Sequence, residues 1–228
     1  MNLKTLLFLC FFIPFAKLLA QEKTKAKYNY LLYLPKDYAK TSKRYPVVVY
    51  LHGGSHKGQD LNKLKGYGLP YLIDKGEDFE FIIASPQCPD NKYWSNENWF
   101  DSLYLDLSEK YRIDSKRMYV TGISMGGYGA YTVAMDFPEI FAAIVPLCGG
   151  INDSDTSRIC NLRDIPIWTF HGTADDKIPI KETERIAAQL RFCKGNMKFT
   201  RLENAGHGIE YLYEKNREIY TWMLKQRR

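Results

Sequence analysis

The stretch VTGISMGGYGA, residues 120–130, places one serine between glycines at the point where an apolar run ends and a helix-like run begins. Ser124 is therefore a candidate nucleophile, because a sharp turn between a strand and a helix lifts a serine hydroxyl above the sheet. Gly122 and Gly126 remove the side chains that would collide in such a turn. The alternative is a glycine-rich turn with an incidental serine, and the motif by itself does not separate the two.

A serine hydroxyl is a poor nucleophile unless a neighbouring base removes its proton, so the four histidines are considered next. His52 and His171 each precede a glycine at the end of a strand-like run, and His56 lies in a polar loop. His207, in ENAGHGIEY, follows the last strand-like run and precedes the last helix-like one. We expect His207 to lie at the C-terminal edge of the sheet and to act as the base; the alternative is an ordinary loop histidine.

The base needs a carboxylate that holds its tautomer and stabilises the imidazolium that forms. HGTADDKIP supplies Asp175 and Asp176 directly after the penultimate strand-like run. Consecutive side chains in an extended turn point in different directions, so we expect only one of the two to reach His207. The resulting chain order of serine, aspartate and histidine is that of α/β-hydrolases.

Acyl transfer also needs backbone N–H groups that point at the negative charge of the tetrahedral intermediate. Met125, the residue after the nucleophile, is one expected donor. The second is expected in LHGGSHKG, residues 51–58, where two glycines end an apolar run and leave the backbone accessible. Gly54 is the favoured donor and Ser55 the second candidate. The alternative for this stretch is a glycine turn after a strand.

These residues can meet only if the strands that carry them end at one edge of a sheet. Strand-like runs alternate with amphipathic helix-like runs, which predicts a mostly parallel sheet covered by helices on both faces. The length of 228 residues suits one such α/β domain. The predicted strands are residues 29–35, 46–53, 81–87, 118–124, 142–149, 165–172 and 197–203, and the predicted helices are residues 99–111, 125–137, 181–193 and 214–226.

Residues 1–20 differ from the rest of the chain and predict a signal peptide. A short basic start with Lys4 precedes the apolar LLFLCFFIPF, and cleavage is expected after Ala20. Residues 21–228 would then form a catalytic domain in a secreted or periplasmic protein without a transmembrane span; the alternative is an uncleaved anchor. Loss of Lys4 and Lys17 would change the formal charge from +6 to +4, with no block of basic residues. Nucleic acid is therefore not an expected partner.

Five stretches of the chain resemble one known family. YLHGG, DSKRMYVTGISMGGYGA, FPEIFAAIVPLCGG, HGTADDKIP and AGHG run from residue 50 to residue 208 and are similar to motifs of single-domain α/β-hydrolase esterases. This group contains carboxylesterases, feruloyl esterases, dienelactone hydrolases and prolyl oligopeptidase-like proteins. The resemblance implies an α/β-hydrolase fold, no cofactor and a catalytic triad of Ser124, Asp175 and His207. The family pattern HG-x-x-D-x-x-[VI]-P aligns its acid with Asp175 rather than Asp176.

The cysteines outside the predicted signal peptide predict one disulfide and no metal site. Their spacings contain no Cys-x-x-Cys pair and no histidine at metal-ligand distance. Cys160 and Cys193 each precede one of two consecutive predicted strands, so their sulfurs should meet if those strands are parallel neighbours. Cys88 and Cys148 follow strands that have two others between them in the usual order of this fold.

The loops suggest an ester of a polysaccharide as the substrate. The connection INDSDTSRICNLRD, residues 151–164, is short, so we expect a minimal lid and an open site. The loop CPDNKYWSNENWF carries Trp94 and Trp99, whose flat rings could stack on sugars or phenolic acids; the alternative for Trp99 is packing in the core. Three other hypotheses remain: a serine peptidase with the same triad, a phospholipase- or lipase-like carboxylesterase, and a binding protein whose site has lost its activity.

Overall fold

The computed structural model describes residues 20–21 and 24–228. The predicted signal peptide lies outside the described residues except for Ala20, and its expected cleavage point falls between Ala20 and Gln21. No helix within the described ranges is long and apolar enough to cross a membrane.

One sheet of eight strands runs through the described part of the chain. Its spatial order is β1-β2-β4-β3-β5-β6-β7-β8. The strands from β4 to β8 in this order are parallel, while β2 is antiparallel to β4 and β1 to β2. The strands are β1 (Ala20–Gln21), β2 (Tyr30–Tyr33), β3 (Tyr45–Leu51), β4 (Ile82–Pro86), β5 (Ile113–Ile123), β6 (Phe141–Leu147), β7 (Trp168–Gly172) and β8 (Lys198–Leu202).

Helices cover both faces of this sheet, as the sequence predicts. The helices are α1 (Gly68–Asp74), α2 (Phe100–Lys110), α3 (Met125–Asp136), α4 (Lys181–Phe192), α5 (Leu212–Lys215) and α6 (Glu218–Lys225). Successive side chains of a strand point to opposite faces, so Val47 and Val49 pack with α2, α3 and α4, whereas Val48 packs with α1, α5 and α6. Every residue of β3 and β6 is buried, which is typical of central strands covered on both sides.

Several elements differ from the sequence prediction, including the short strand β1, which was not predicted. The helix predicted at residues 214–226 is two helices, because Asn216 leaves the helical region at φ −112° and ψ 79°. Helix α1 was not predicted; it is short and begins at Gly68, whose φ of 71° favours glycine. Strand β5 begins at Ile113, five residues before the predicted start, because Ile113 pairs with Tyr45 across a register shift.

The predicted disulfide is present. Cys160 lies in a 3₁₀ segment, Asp153–Leu162, that precedes β7, and Cys193 lies between α4 and β8. The two Cα atoms are 5.2 Å apart. Cys88 and Cys148 are buried and free. The segment Asp153–Leu162 is also the main structure in the connection from β6 to β7, so no large lid is inserted there.

Candidate active site

Ser124 occupies a sharp turn between β5 and α3. Its backbone has φ 57° and ψ −119°, which is outside the regions that residues with a side chain normally adopt. The glycines on either side are required by close backbone contacts. A Cβ on Gly122 would overlap the backbone of Gly126, and a Cβ on Gly126 would overlap the carbonyl of Leu51. The turn therefore holds the Ser124 side chain at the carboxyl edge of the sheet, in the geometry expected for a nucleophile.

The side chains of Ser124, His207 and Asp175 form a continuous hydrogen-bonded chain. His207 Nε2 lies 2.8 Å from Ser124 Oγ, and His207 Nδ1 lies 2.8 Å from Asp175 Oδ2. A carboxylate can only accept, so Nδ1 carries the proton and Nε2 is free to accept from the serine hydroxyl. This arrangement can move a proton from Ser124 to His207 while a carboxylate faces the resulting imidazolium.

Asp175, rather than its neighbour Asp176, faces the histidine. The Asp175 side chain is fully buried and also accepts the backbone N–H groups of Lys177 and Ile178, both at 2.9 Å. Burial opposes ionisation of Asp175, but the hydrogen bonds from Ile178 and His207 outweigh it and lower the pKa of this carboxyl. The Asp176 side chain is exposed and pairs with Lys177 at 3.3 Å.

A second buried histidine supports the aspartate, a contact that sequence reasoning missed. His171 Nε2 lies 2.8 Å from the carbonyl oxygen of Ile178 and 3.3 Å from Asp175 Oδ2. A carbonyl can only accept, so Nε2 carries the proton. The ring therefore ties the loop that contains Asp175 to the end of β7. The strand-end position of His171 was the one signal available in the sequence.

The end of β3 presents Gly54 in an orientation that His52 fixes. His52 Nε2 accepts the N–H of Cys88 at 3.0 Å, so Nδ1 carries the proton and donates to the carbonyl of Gly53 at 2.7 Å. In a trans peptide the N–H of Gly54 points away from that carbonyl. No atom of the described chain lies within 4 Å of where a Cβ on Gly54 would be, so this residue borders open space. Burial lowers the pKa of His52 to about 4, which keeps the ring neutral.

The two expected oxyanion donors have free N–H groups. Within the part of the chain that the structure describes, neither Gly54 N–H nor Met125 N–H has a hydrogen-bond acceptor. Met125 is the first residue of α3, where N–H groups point out of the helix and carry partial positive charge. The neighbouring Gly53 N–H is occupied, because it donates to the Tyr67 hydroxyl at 2.7 Å. The N–H of Ser55, the second candidate, also has no acceptor among the described residues, and its side-chain oxygen lies 3.0 Å from His56 Nδ1.

An open cleft of about 750 Å³ adjoins Ser124. We call it the main cleft. Its floor includes Ser124, Met125 and Tyr128, and its walls come from the loops 93–96 and 152–155. Polar side chains such as Asn96 and Asn152 line these walls, so the cleft can hydrogen-bond a polar substrate as well as contact an apolar group.

The two predicted substrate-binding tryptophans lie in different surroundings. Trp94 lines the main cleft but is 3% exposed, and its indole N–H donates to the His52 carbonyl at 3.1 Å. Trp99 is also 3% exposed; its N–H donates to the Trp94 carbonyl, and its ring stacks on Tyr28. Both rings are therefore core residues, which argues against the predicted stacking role of either, although Trp94 borders the main cleft. The exposed ring of this loop is Tyr93, at 58%.

Cys148 lies beside His207 and Asp175, but its thiol hydrogen-bonds to a backbone carbonyl and not to either side chain. The ligand-type atoms of Cys148, Asp175 and His207 lie within 4.8 Å of one another. Burial raises the pKa of the Cys148 thiol to about 12, and the thiol donates to the His207 carbonyl at 3.6 Å. A protonated thiol is a poor nucleophile and a poor metal ligand, so Ser124 is the better candidate for attack on a carbonyl.

Comparison with known proteins places the chain in a family. Residues 21–208 match the model of the Esterase family, described as "Putative esterase". The chain belongs to this family. A bifunctional acetylxylan esterase/xylanase of Neocallimastix patriciarum is 34% identical over 166 residues, which is 70% of this esterase-family chain and 23% of the relative. The chain thus spans about a quarter of the length of that relative.

Two solved structures have a fold similar to that of this chain. A thermostable esterase is 30% identical, with a TM-score of 0.73 over 87% of this chain and 59% of the other. A ferulic acid esterase is 19% identical, with a TM-score of 0.64 over 87% of this chain and 94% of the other, and shows the fold alone. The chain therefore has the α/β-hydrolase fold that its sequence predicts.

Proposed function

We propose that this protein is a serine carboxylic-ester hydrolase that works by two-step acyl transfer. The observation that carries the proposal is the pair of 2.8 Å distances that join Ser124 Oγ to His207 Nε2 and His207 Nδ1 to Asp175 Oδ2. Family membership supports it independently.

In the first step Ser124 Oγ attacks the ester carbonyl carbon while His207 Nε2 takes the hydroxyl proton. Asp175 stabilises the imidazolium that forms. The negative charge on the former carbonyl oxygen is stabilised by the N–H groups of Gly54 and Met125, which have no acceptor among the described residues. His207 then gives its proton to the leaving alcohol, and the acyl group stays on Ser124.

In the second step water hydrolyses the acyl-enzyme. His207 removes a proton from the water, which attacks the acyl carbon through the same tetrahedral geometry. The free acid leaves, and Ser124 recovers its proton from His207. The ester is thereby split into acid and alcohol with no cofactor among the reactants.

The substrate class is an ester that decorates a polysaccharide, with an acetyl or feruloyl group as the acyl half. The open main cleft and its polar walls support a bulky, hydroxylated substrate. The similarity to an acetylxylan esterase/xylanase supports the same class.

The protein is exported, and residues 21–228 form the mature catalytic domain. The layout of residues 1–20 supports export, and the Cys160–Cys193 disulfide is suited to an oxidising compartment. Sequencing the amino terminus of protein recovered from the culture medium or periplasm tests this; a chain that retains residues 1–20 would contradict it.

Turnover of acetylated xylan, feruloylated xylan and aryl esters by the purified protein tests the proposed reaction. We expect hydrolysis of at least one ester, covalent labelling of Ser124 by a fluorophosphonate, and no comparable hydrolysis of matched amides. Labelling that is absent from the wild-type protein would support a binding protein instead. Amide cleavage at a rate similar to that of the ester would support a peptidase.

A further inference from the structure

A smaller cleft of about 200 Å³ lies between residues 66–72 and residues 210–214, and no step above uses it. We call it the tyrosine cleft. Tyr67 and Tyr71 form one side, and Glu210, Tyr211 and Glu214 form the other. The first two residues belong to the segment before and within α1, and the other three lie between His207 and the end of α5.

Two observations place the tyrosine cleft beside the segments that carry the proposed oxyanion donor and His207. The Tyr67 hydroxyl accepts the N–H of Gly53, the residue before the expected oxyanion donor. Glu210 follows His207 by three residues, and its carboxylate folds back to within 3.6 Å of where a Cβ on Gly208 would be. The tyrosine cleft therefore lies beside the turn after β3, which contains Gly53, and beside the loop that contains His207. The main cleft instead borders Met125 and Tyr128 on α3.

The position of His207 determines which half of an ester faces which cleft. In the proposed reaction, His207 Nε2 gives its proton to the leaving oxygen, so that oxygen must approach the His207 side of Ser124. Glu210 and Tyr211 follow His207 by three and four residues, so in this proposal the alcohol half extends towards them and the acyl half lies in the main cleft. We propose that the tyrosine cleft is a subsite for the sugar unit that carries the ester, an inference that rests on the proposed function.

The side chains of the tyrosine cleft have the chemistry that a sugar needs. Tyr211 is 45% exposed, and an exposed aromatic ring offers a flat apolar surface to the C–H face of a pyranose. Glu210 is half-buried, and its carboxylate has no hydrogen-bond or ion-pair partner in the described part of the chain. An ionised carboxylate is an acceptor only, so it can receive hydrogen bonds from sugar hydroxyls.

Lysines already contact two of the groups in this cleft that could bind a cation. Aromatic rings and carboxylates also bind quaternary ammonium groups, so choline-like esters are the competing ligand class. However, Lys75 Nζ already lies over the Tyr71 ring, 5.6 Å from its centroid. The Glu214 carboxylate is paired with Lys215 Nζ at 2.8 Å. Tyr71 and Glu214 are therefore already in contact with lysines, whereas Glu210 and Tyr211 are open to either ligand class, and the acetylcholine measurement below separates the two.

Three acetyl esters that differ only in the alcohol test this subsite: acetylated xylo-oligosaccharide, 4-nitrophenyl acetate and acetylcholine. All three form the same acetyl-enzyme, so the deacylation rate is common to them, and kcat/KM, which depends only on the steps up to acylation, reports a subsite for the alcohol. For Tyr211→Ala we expect kcat/KM to fall about tenfold with the oligosaccharide, the upper end of what one aromatic contact contributes. The fall with 4-nitrophenyl acetate should be less than about threefold. Phe192→Ala is the matched control, because Phe192 is 89% exposed on α4 outside both clefts.

Glu210→Gln gives a second measurement that does not depend on the ring. The substitution removes a negative charge near His207, which would shift the pH profile equally for every substrate. A lost sugar hydrogen bond would instead change the ratio of kcat/KM between the oligosaccharide and 4-nitrophenyl acetate at every pH. We expect that ratio to fall several-fold.

Three results would overturn the sugar subsite. In Tyr211→Ala, equal losses with all three esters would indicate a structural role, and a loss confined to acetylcholine would indicate a cation site. A wild-type protein that hydrolyses 4-nitrophenyl acetate but no acetylated oligosaccharide would also overturn it. Failure of the proposed function looks different, because Ser124→Ala would then retain activity on 4-nitrophenyl acetate.

Discussion

The turn at Ser124 and the disulfide between Cys160 and Cys193 lie at opposite ends of their strands and are built in opposite ways. Ser124 follows β5, has strained backbone angles and allows only glycine at two neighbouring positions. Cys160 and Cys193 precede β7 and β8 and close a covalent link across 33 residues of sequence. Strained backbone persists where the surrounding structure holds it in place, and it is concentrated at functional sites. We therefore expect changes at the Ser124 turn to lower turnover, and removal of the disulfide to lower stability.

Removal of the nucleophile should produce the largest effect. In Ser124→Ala we expect kcat to fall by about 10⁴-fold or more, because triad residues act as a unit. The melting temperature should stay within a few degrees, since the hydroxyl makes one hydrogen bond, to His207. Ester turnover by the variant and its thermal unfolding curve are the two measurements. Activity within about tenfold of wild type would remove Ser124 from the mechanism.

The paired aspartates give the next largest effect and a control from the same loop. We expect Asp175→Asn to lower kcat by about 10⁴-fold, because an amide that donates to His207 stabilises the wrong tautomer. Asp176→Asn should change kcat little, since that side chain is exposed and pairs with Lys177. Steady-state kinetics of both variants test the assignment, and a crippled Asp176→Asn beside a normal Asp175→Asn would reverse it.

Substitution of His52 should lower kcat by an intermediate amount that depends on whether the new side chain takes the place of Nδ1 or of Nε2. An asparagine amide can stand near the position of Nδ1 and still donate to the Gly53 carbonyl, whereas a glutamine amide extends towards Cys88. We expect His52→Gln to lower kcat by about 100-fold with little change in KM, comparable to the loss of one oxyanion donor. His52→Asn should retain most of kcat. If the two variants lose the same number of degrees of melting temperature, and also lose kcat by the same factor, His52 has a role in folding alone.

The disulfide should have the smallest effect on turnover. We expect Cys160→Ser with Cys193→Ser to lower the free energy of unfolding by about 2–4 kcal/mol, mainly by releasing the unfolded chain. For a domain of this size, that corresponds to a melting temperature lower by roughly 5–15 °C. At 25 °C kcat should stay within about twofold. A large loss of kcat at that temperature, with Ser124 still fully labelled by fluorophosphonate, would show that the two regions are coupled.

Local sequence patterns predict the Ser124 and His207 positions and the pair Asp175 and Asp176, because each follows a recognisable strand-like run; the family resemblance selects Asp175 from the pair. The structure brings the three side chains into one hydrogen-bonded chain; their roles remain the proposal tested above. Strands β2 to β8 and most helices were predicted for the same reason, since their periodicity is strong. Helix α1 was missed because it is short and contains glycine and proline.

Contacts between distant segments were not predictable from local patterns. Trp99 looks like a loop aromatic until Tyr28, from the segment before β2, stacks on its ring and excludes solvent. His52 and His171 look like incidental strand-end histidines until the N–H of Cys88 and the carbonyl of Ile178 fix their tautomers. In each case the role depends on a partner that the fold supplies.

The close contacts around Gly122 and Gly126 also limit how this enzyme can be redesigned. Any side chain at either position would overlap backbone that cannot move without displacing β3 or α3. A mutant library for new acyl preferences would therefore return mostly misfolded proteins if it sampled the turn itself. The loops 93–96 and 152–155 are better targets, because they line the main cleft and lie outside the backbone that fixes Ser124. Directed evolution should find its improved variants there.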